Sequence, residues 1–199
     1  TVLNNQGDAF LVKFNGTNGT RLWGTYYGGS NYEYGVGCDA DAAGNVYLLG
    51  RTNSTSLIAT VGTHQSNFAG DYDAFVIKFN GTNGTRLWGT YYGGTGNEEP
   101  GFLHTNSAGD ILITGETLSA TLIATTTAHQ TTNAGGSDGF LALFNTNGQR
   151  TWGTYYGGAN FEEGRSCHIG ASGFYYMCGL ADSPTGIATA GTYQSTGGG

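Results

Sequence analysis

The segment TRLWGTYYGG at positions 20–29 returns unchanged at 85–94, and a looser copy, QRTWGTYYGG, fills 149–158. A chain that must house one segment three times at near-constant spacing is restricted to tandem architectures. Other anchors keep the same step. Asp8, Asp73 and Asp138 open DAF, DAF and DGF at intervals of 65, and Trp23, Trp88 and Trp152 follow at 65 and then 64. Gly50, Gly115 and Gly179 repeat those steps. The residue missing from the third unit falls where FNGTNGTRLW shortens to FNTNGQRTW. That is a turn, and turns tolerate length changes that strands do not. The units are taken as 1–66, 67–131 and 132–199.

Each unit reads as four strands. DAFLVKF places Phe10, Val12 and Phe14 on one side, and NGTNG supplies turn residues that tolerate positive φ. RLWGTYY is the second strand, GVGCDAD lies in the third, and VYLLGRT is the fourth. DAAGN joins the last two as a type I turn with a glycine bulge. No segment sustains a helical period. On strand two, Trp23, Thr25 and Tyr27 alternate with Leu22, Gly24 and Tyr26. Charge is missing from both sets, so both faces are expected to be covered.

Composition agrees. There are 37 Gly among 199 residues, with 13 Tyr, 10 Phe and only 11% charged residues, which suits a turn-rich all-β chain. The net charge of −7, with seven Lys and Arg, excludes the clustered cations that nucleic acid or an anionic membrane surface requires. No apolar run is long enough to span a bilayer, so direct membrane insertion is not expected. The opening residues TVLNNQGDAF lack the charged and apolar regions of a signal peptide. Either a signal has been cleaved or the chain is a piece of something longer.

Four antiparallel strands repeated in tandem match the blade of a β-propeller. The register DAFLVKFN, WGTYYGG, DAAGNVYLLG and ATVGTHQS resembles the bacterial SBBP repeat, a β-propeller repeat, over the whole chain and three times over. The hairpin departs from that pattern as NSAGDILITG in unit two and GASGFYYMCG in unit three. The resemblance implies three blades of a larger propeller, in a secreted or cell-surface protein of a Gram-negative bacterium. Some such proteins are cargo of type IX secretion. Since propellers need about 4 to 8 blades, the partners expected are further blades of the same chain, or a second copy that closes six blades. Surface glycans or a secretion or outer-membrane partner are further expectations. No cofactor or metal is expected.

Three recurring polar positions map to one face of a propeller: Asp8, Asp73 and Asp138; Glu33, Glu98 and Glu162; and His64, His129 and Tyr193. They could form a ring that holds Ca²⁺ or a sugar. The competing reading is that each carboxylate accepts N–H groups from neighbouring glycines, and repetition favours it, because an active site breaks symmetry. Glu98–Glu99 and Glu162–Glu163 are paired acids, as glycoside hydrolysis uses, but neighbours on a strand point to opposite faces. Asp39 and Asp41 faintly suggest a Ca²⁺ loop; their equivalents His104, Asn106, His168 and Gly170 leave too few carboxylates. The aromatics Tyr32, Tyr34 and Phe161 lie in the variable loop and are the expected sugar contacts if the chain binds carbohydrate. Gly28–Gly29, Gly93–Gly94 and Gly157–Gly158 lack the lysine and helix N-terminus of a phosphate loop, and are read as turn glycines.

Two function classes follow. One is a non-catalytic scaffold or adhesive module; the other is a carbohydrate-binding or carbohydrate-active propeller. Trp23 and its copies are expected to wedge between neighbouring sheets. A bulged turn at ASG sets Cys167 opposite Met177 and puts Cys178 on the other face, whereas a two-residue turn would set the two cysteines opposite each other. The bulged turn is favoured, and both are expected to be free, buried thiols.

Overall fold

The computed structural model describes residues 7–197. Twelve strands carry that segment: β1 Ala9–Phe14, β2 Arg21–Tyr27, β3 Glu33–Ala40, β4 Val46–Thr52, β5 Asp73–Phe79, β6 Arg86–Tyr92, β7 Glu98–Thr105, β8 Ile111–Thr117, β9 Asp138–Phe144, β10 Arg150–Tyr156, β11 Glu162–Ile169 and β12 Tyr175–Ala181. No helix occurs among the described residues. The protein is all-β, and every strand pair within its sheets is antiparallel.

The strands lie where the sequence puts them, but the sheets do not coincide with the units 1–66, 67–131 and 132–199. The two complete sheets run β3-β4-β5-β6 and β7-β8-β9-β10, while β1-β2 and β11-β12 are two-stranded. Each complete sheet therefore joins the last two strands of one repeat to the first two of the next. The short link after YYGG carries the chain into a new sheet. The 20-residue connector at 53–72 stays with its sheet: Thr60 N–H donates to Gly89 O at 2.8 Å and Tyr91 N–H to Gln65 O at 3.0 Å. The connector thus covers the outer edge of β6, and 118–137 does the same for β10 through Thr125–Gly153 and Tyr155–Gln130. Such cover removes an edge that could recruit another chain.

Consecutive sheets pack face to face. Leu11 and Tyr27 meet Phe75, Phe79 and Tyr91 in one layer, and Val76, Trp88 and Tyr92 meet Ile113, Phe140 and Phe144 in the next. A smaller third layer sets Leu112 and Leu141 against Cys167. The tryptophans sit between sheets as expected. Trp23 donates to Gly81 O at 3.1 Å and Trp88 to Thr146 O at 2.9 Å, each on the hairpin turn one repeat ahead. The double burial expected of strand two fails in β2, where Leu22, Gly24 and Tyr26 are exposed, because no further sheet covers that face among the described residues. It holds in β6 from Trp88 onward, although Leu87 is exposed.

The turn chemistry follows the sequence. Gly19, Gly84 and Gly148 close the first hairpins, and Gly44, Gly109 and Gly173 the second, all with φ between 70° and 83°. In the third repeat this register sets Cys167 opposite Met177 and Ser166 opposite Cys178. All three cysteines are free, but only Cys167 is buried; Cys178 is exposed. The burial expected of Cys178 is absent, since among the described residues β12 has no further strand beside it.

Candidate functional site

The glycine pair after each second strand and the glutamate that follows it form one clamp. Gly29, Gly94 and Gly158 donate their N–H groups to Oε2 of Glu33, Glu98 and Glu162 at 2.7, 3.0 and 2.6 Å. The other carboxylate oxygen is also used. Thr52 and Thr117 donate their hydroxyls to Glu33 and Glu98. The third repeat has Ala181 in that place, and there Ser183 N–H donates to Glu162 Oε1 at 2.9 Å. All three glutamates are buried. A side chain on Gly93 would stand 2.3 Å from Glu98 Oε2 and 2.5 Å from Asp73 Oδ1, and one on Gly94 would stand 2.4 Å from Thr121 O. The glycines are therefore dictated by crowding.

The aspartates at the head of strand one close the same clamp from the connector side. Asp73 Oδ2 accepts Gln65 Nε2 and Ala69 N–H, both at 3.0 Å, and Asp138 Oδ2 accepts Gln130 Nε2 and Ala134 N–H. The glutamines also accept through Oε1, from Gly93 and Gly157 N–H at 3.1 and 3.0 Å. Burial pushes the Asp73 carboxyl up to about 7, and the nearby Glu98 carboxylate adds to the rise against the hydrogen bonds of Ala69, Gly70 and Gln65. Burial raises Asp138 and Glu98 in the same direction. The Oδ1 atoms of Asp73 and Asp138 are buried without a hydrogen-bond partner among the described residues.

The third recurring set does not join this clamp. His64 packs on the rings of Tyr92 and Phe144, and its burial, with Arg150 nearby, lowers its pKa to about 4. His129 and Tyr193 are exposed. Among the described residues no three His, Cys, Asp or Glu side chains come together as a metal-binding group.

The paired acids diverge, as their strand position requires. Glu98 faces the clamp, while Glu99 forms an ion pair with Arg51, whose guanidinium lies 3.8 Å from the centre of the Tyr72 ring. Glu163 pairs instead with Arg165 at 2.9 Å. Asp41 is a turn residue: its carboxylate accepts Asn45 N–H at 2.8 Å and the Tyr47 hydroxyl at 3.0 Å, with Lys78 at 3.8 Å.

Asp39 and His104 have a role that a Ca²⁺-loop reading misses. Asp39 Oδ2 accepts Thr105 N–H at 2.7 Å, and His104 Nδ1 accepts Ile169 N–H at 3.3 Å. Each stitches its strand to the equivalent strand of the next sheet, and the His104 and His168 rings stand 4.3 Å apart.

Of the aromatics expected to contact a sugar, Tyr32 and Tyr34 are exposed, whereas Phe161 is half-buried at the far end of the chain. Tyr32 and Tyr34 line a groove of about 530 Å³ between β1 and β3, together with Phe10, Leu11 and Phe14. The residues that sequence reasoning missed are the clamp's helpers: Gln65 and Gln130, whose repeat equivalent is Gln194, then Thr52 and Thr117, and Ser54, Ser119 and Ser183. Their signal was available, because each set recurs at the repeat spacing.

No protein-family model and no curated protein matches the chain.

Proposed function

We propose that this chain is a non-catalytic β-propeller module of the SBBP repeat type, each four-stranded sheet being one blade. It acts as a scaffold or adhesive surface of a secreted or cell-surface bacterial protein of the kind carried by type IX secretion. The observation that carries this reading is the clamp. In every repeat the glutamate lone pairs are taken up by N–H and hydroxyl groups of the chain itself, so the recurring acids have a fold-level reason to recur. The propeller assignment draws further support from face-to-face packing of successive sheets and from inner strands β3, β7 and β11 that lie against one another.

The test combines stability with ligand screening. The expected outcome is a melting temperature indifferent to chelator, no hydrolysis of glycoside substrates and no signal on a glycan array. One observation favours the carbohydrate reading: the exposed aromatics of the groove between β1 and β3. Saturable glycan binding that disappears in Tyr34→Ala, with melting unchanged, would replace the scaffold reading with that one.

A further inference from the structure

The junction between the two complete sheets carries its own cation. Arg51 of β4 pairs with Glu99 of β7, and its guanidinium lies 3.8 Å from the centre of the Tyr72 ring. One repeat later the same three positions hold Glu116 of β8, Glu163 of β11 and Ser137. The backbone keeps the equivalence: Tyr72 bridges in parallel to Asn97, and Ser137 does so to Phe161. An acid therefore stands where the arginine stood, with a second acid near it.

The chain offsets this only in part. Arg165 donates from Nε to Glu163 Oε2 at 2.9 Å, from a side chain that is 62% exposed. Arg51 also acts on Glu116, but it is already paired with Glu99. Burial raises the Glu116 carboxyl above its ordinary range; Ser137 opposes the rise, and Glu163 and Glu99 add to it.

Two further exchanges shape the place. Ser137 is 3% exposed, and its hydroxyl lies buried beside Glu116 without completing a hydrogen bond among the described residues. With serine there, the second junction lacks the ring on which the Arg51 guanidinium lies one repeat earlier. At the bridged position Asn97 gives way to the half-buried Phe161, so an aromatic residue returns just before β11. The second junction thus holds two acids, a buried hydroxyl and an aromatic residue around a place that its own strands fill with no arginine.

We propose that Glu116, Glu163, Ser137 and Phe161 form a receptor site for an external guanidinium group, which takes the place that Arg51 fills one junction earlier. The carboxylates accept its N–H groups, the Ser137 hydroxyl adds an acceptor, and the Phe161 ring offers a face to a cation. The chain itself shows that this architecture accepts a guanidinium, because Arg51 already lies between a glutamate and a ring. A metal ion suits the site less well: no three acids converge among the described residues, and an aromatic ring is no ligand for a hard cation. Both walls, β8 and β11, belong to described sheets that pack on each other. The site rests on the repeat register and does not require the propeller reading.

The experiment titrates the isotopically labelled 199-residue chain with methylguanidinium at constant ionic strength and follows backbone amide shifts by NMR. The expected result is a saturable change at amides of β8 and β11, with a dissociation constant on the order of 1 mM. Glu116→Gln should weaken it about tenfold. Glu116→Arg supplies the cation from within, so it should abolish binding and raise the melting temperature, as a copy of the Arg51–Glu99 pair would. A second titration uses Nα-acetyl-arginine amide, which presents the group as a peptide does. Binding of both probes supports the arginine side chain of a partner; binding of methylguanidinium alone would keep the site and assign it to a free small cation. No saturable change, an equal response to sodium, or binding that survives Glu116→Arg would overturn the site. Calcium binding at these residues in place of methylguanidinium would overturn the guanidinium class.

Discussion

Phe75 and Phe10 hold the same place in successive repeats, yet Phe75 is fully buried and Phe10 is 66% exposed. Phe79 and Phe14 differ in the same way, at 2% and 59%. The local sequences are nearly identical, DAFVIKF against DAFLVKF, so the difference lies entirely in what stands next to them. Burial here is a property of rank in the stack. One repeat alone cannot bury its apolar faces, and the interior repeat shows what a flanked one achieves.

The contrast can be tested by paired substitutions. Trp88 is buried under the turn at Thr146, and Trp88→Ala should cost about 3–5 kcal/mol of unfolding free energy in a urea titration. Trp152 has no turn above it and meets Tyr175 at 5.5 Å, so Trp152→Ala should cost roughly half as much. Equal losses would sink the ranking by flanking sheets.

The clamp should cut across that ranking. In Glu98→Gln one amide NH₂ must face a donor, at a cost of about 1–3 kcal/mol. Glu162 accepts two backbone N–H groups, from Gly158 and Ser183, neither of which can rotate away. Glu162→Gln should therefore cost at least as much, despite its place near the chain end. A smaller loss there would show that terminal position outweighs partner chemistry.

Acidity gives a third handle. The Asp73 carboxyl is raised to about 7 in the folded chain, and Asp138 and Glu98 are raised too. These carboxyls bind more protons in the folded chain than in the unfolded one between about pH 4 and 7, so their contribution to stability falls as pH rises through that window. The slope is at most about 1.4 kcal/mol per pH unit for one such group. His64, lowered to about 4, opposes this as pH falls below about 6.5. The readout is therefore the difference between two chains: the melting temperature of Asp73→Asn relative to the parent should fall on going from pH 7 to pH 5. Parallel pH profiles of the two chains would contradict the raised Asp73 carboxyl.

The smallest effect belongs to the connectors. Leu57 and Leu122 adopt φ of 71° and 74°, a conformation that glycine takes without penalty, and the third repeat has Gly186 there at 89°. Leu122 is exposed, so Leu122→Gly should leave stability the same or raise it by up to about 1 kcal/mol. A clear loss would mean that the leucine side chain does more than its exposure suggests.

The strands were legible because each has a local cause. Alternating apolar residues, NGTNG and DAAGN mark RLWGTYY and VYLLGRT to the residue. The partition into sheets was not. The five residues between Tyr27 and Glu33 look like a hairpin loop, and the 20 between Thr52 and Asp73 look like a boundary, yet the roles are reversed. Loop length misleads here because the buried Glu33 seizes Gly29 N–H and redirects the chain at the short link. The long connector is held to the edge strand by its own hydrogen bonds. At the candidate site, the glycine–glutamate contact was readable from repetition. The glutamine and serine helpers are small polar residues in a polar connector, and stood out only once Asp73 and Glu98 had a geometry to satisfy.

The two-strand offset between repeat and sheet bears on how such a chain can change length. Unequal recombination gains or loses whole copies of the 65-residue segment. Because each sheet is sewn from two neighbouring copies, every such event recreates the same β4-to-β5 seam wherever the crossover falls. A lineage could therefore alter its sheet count freely, with no intermediate that has a mismatched junction to repair.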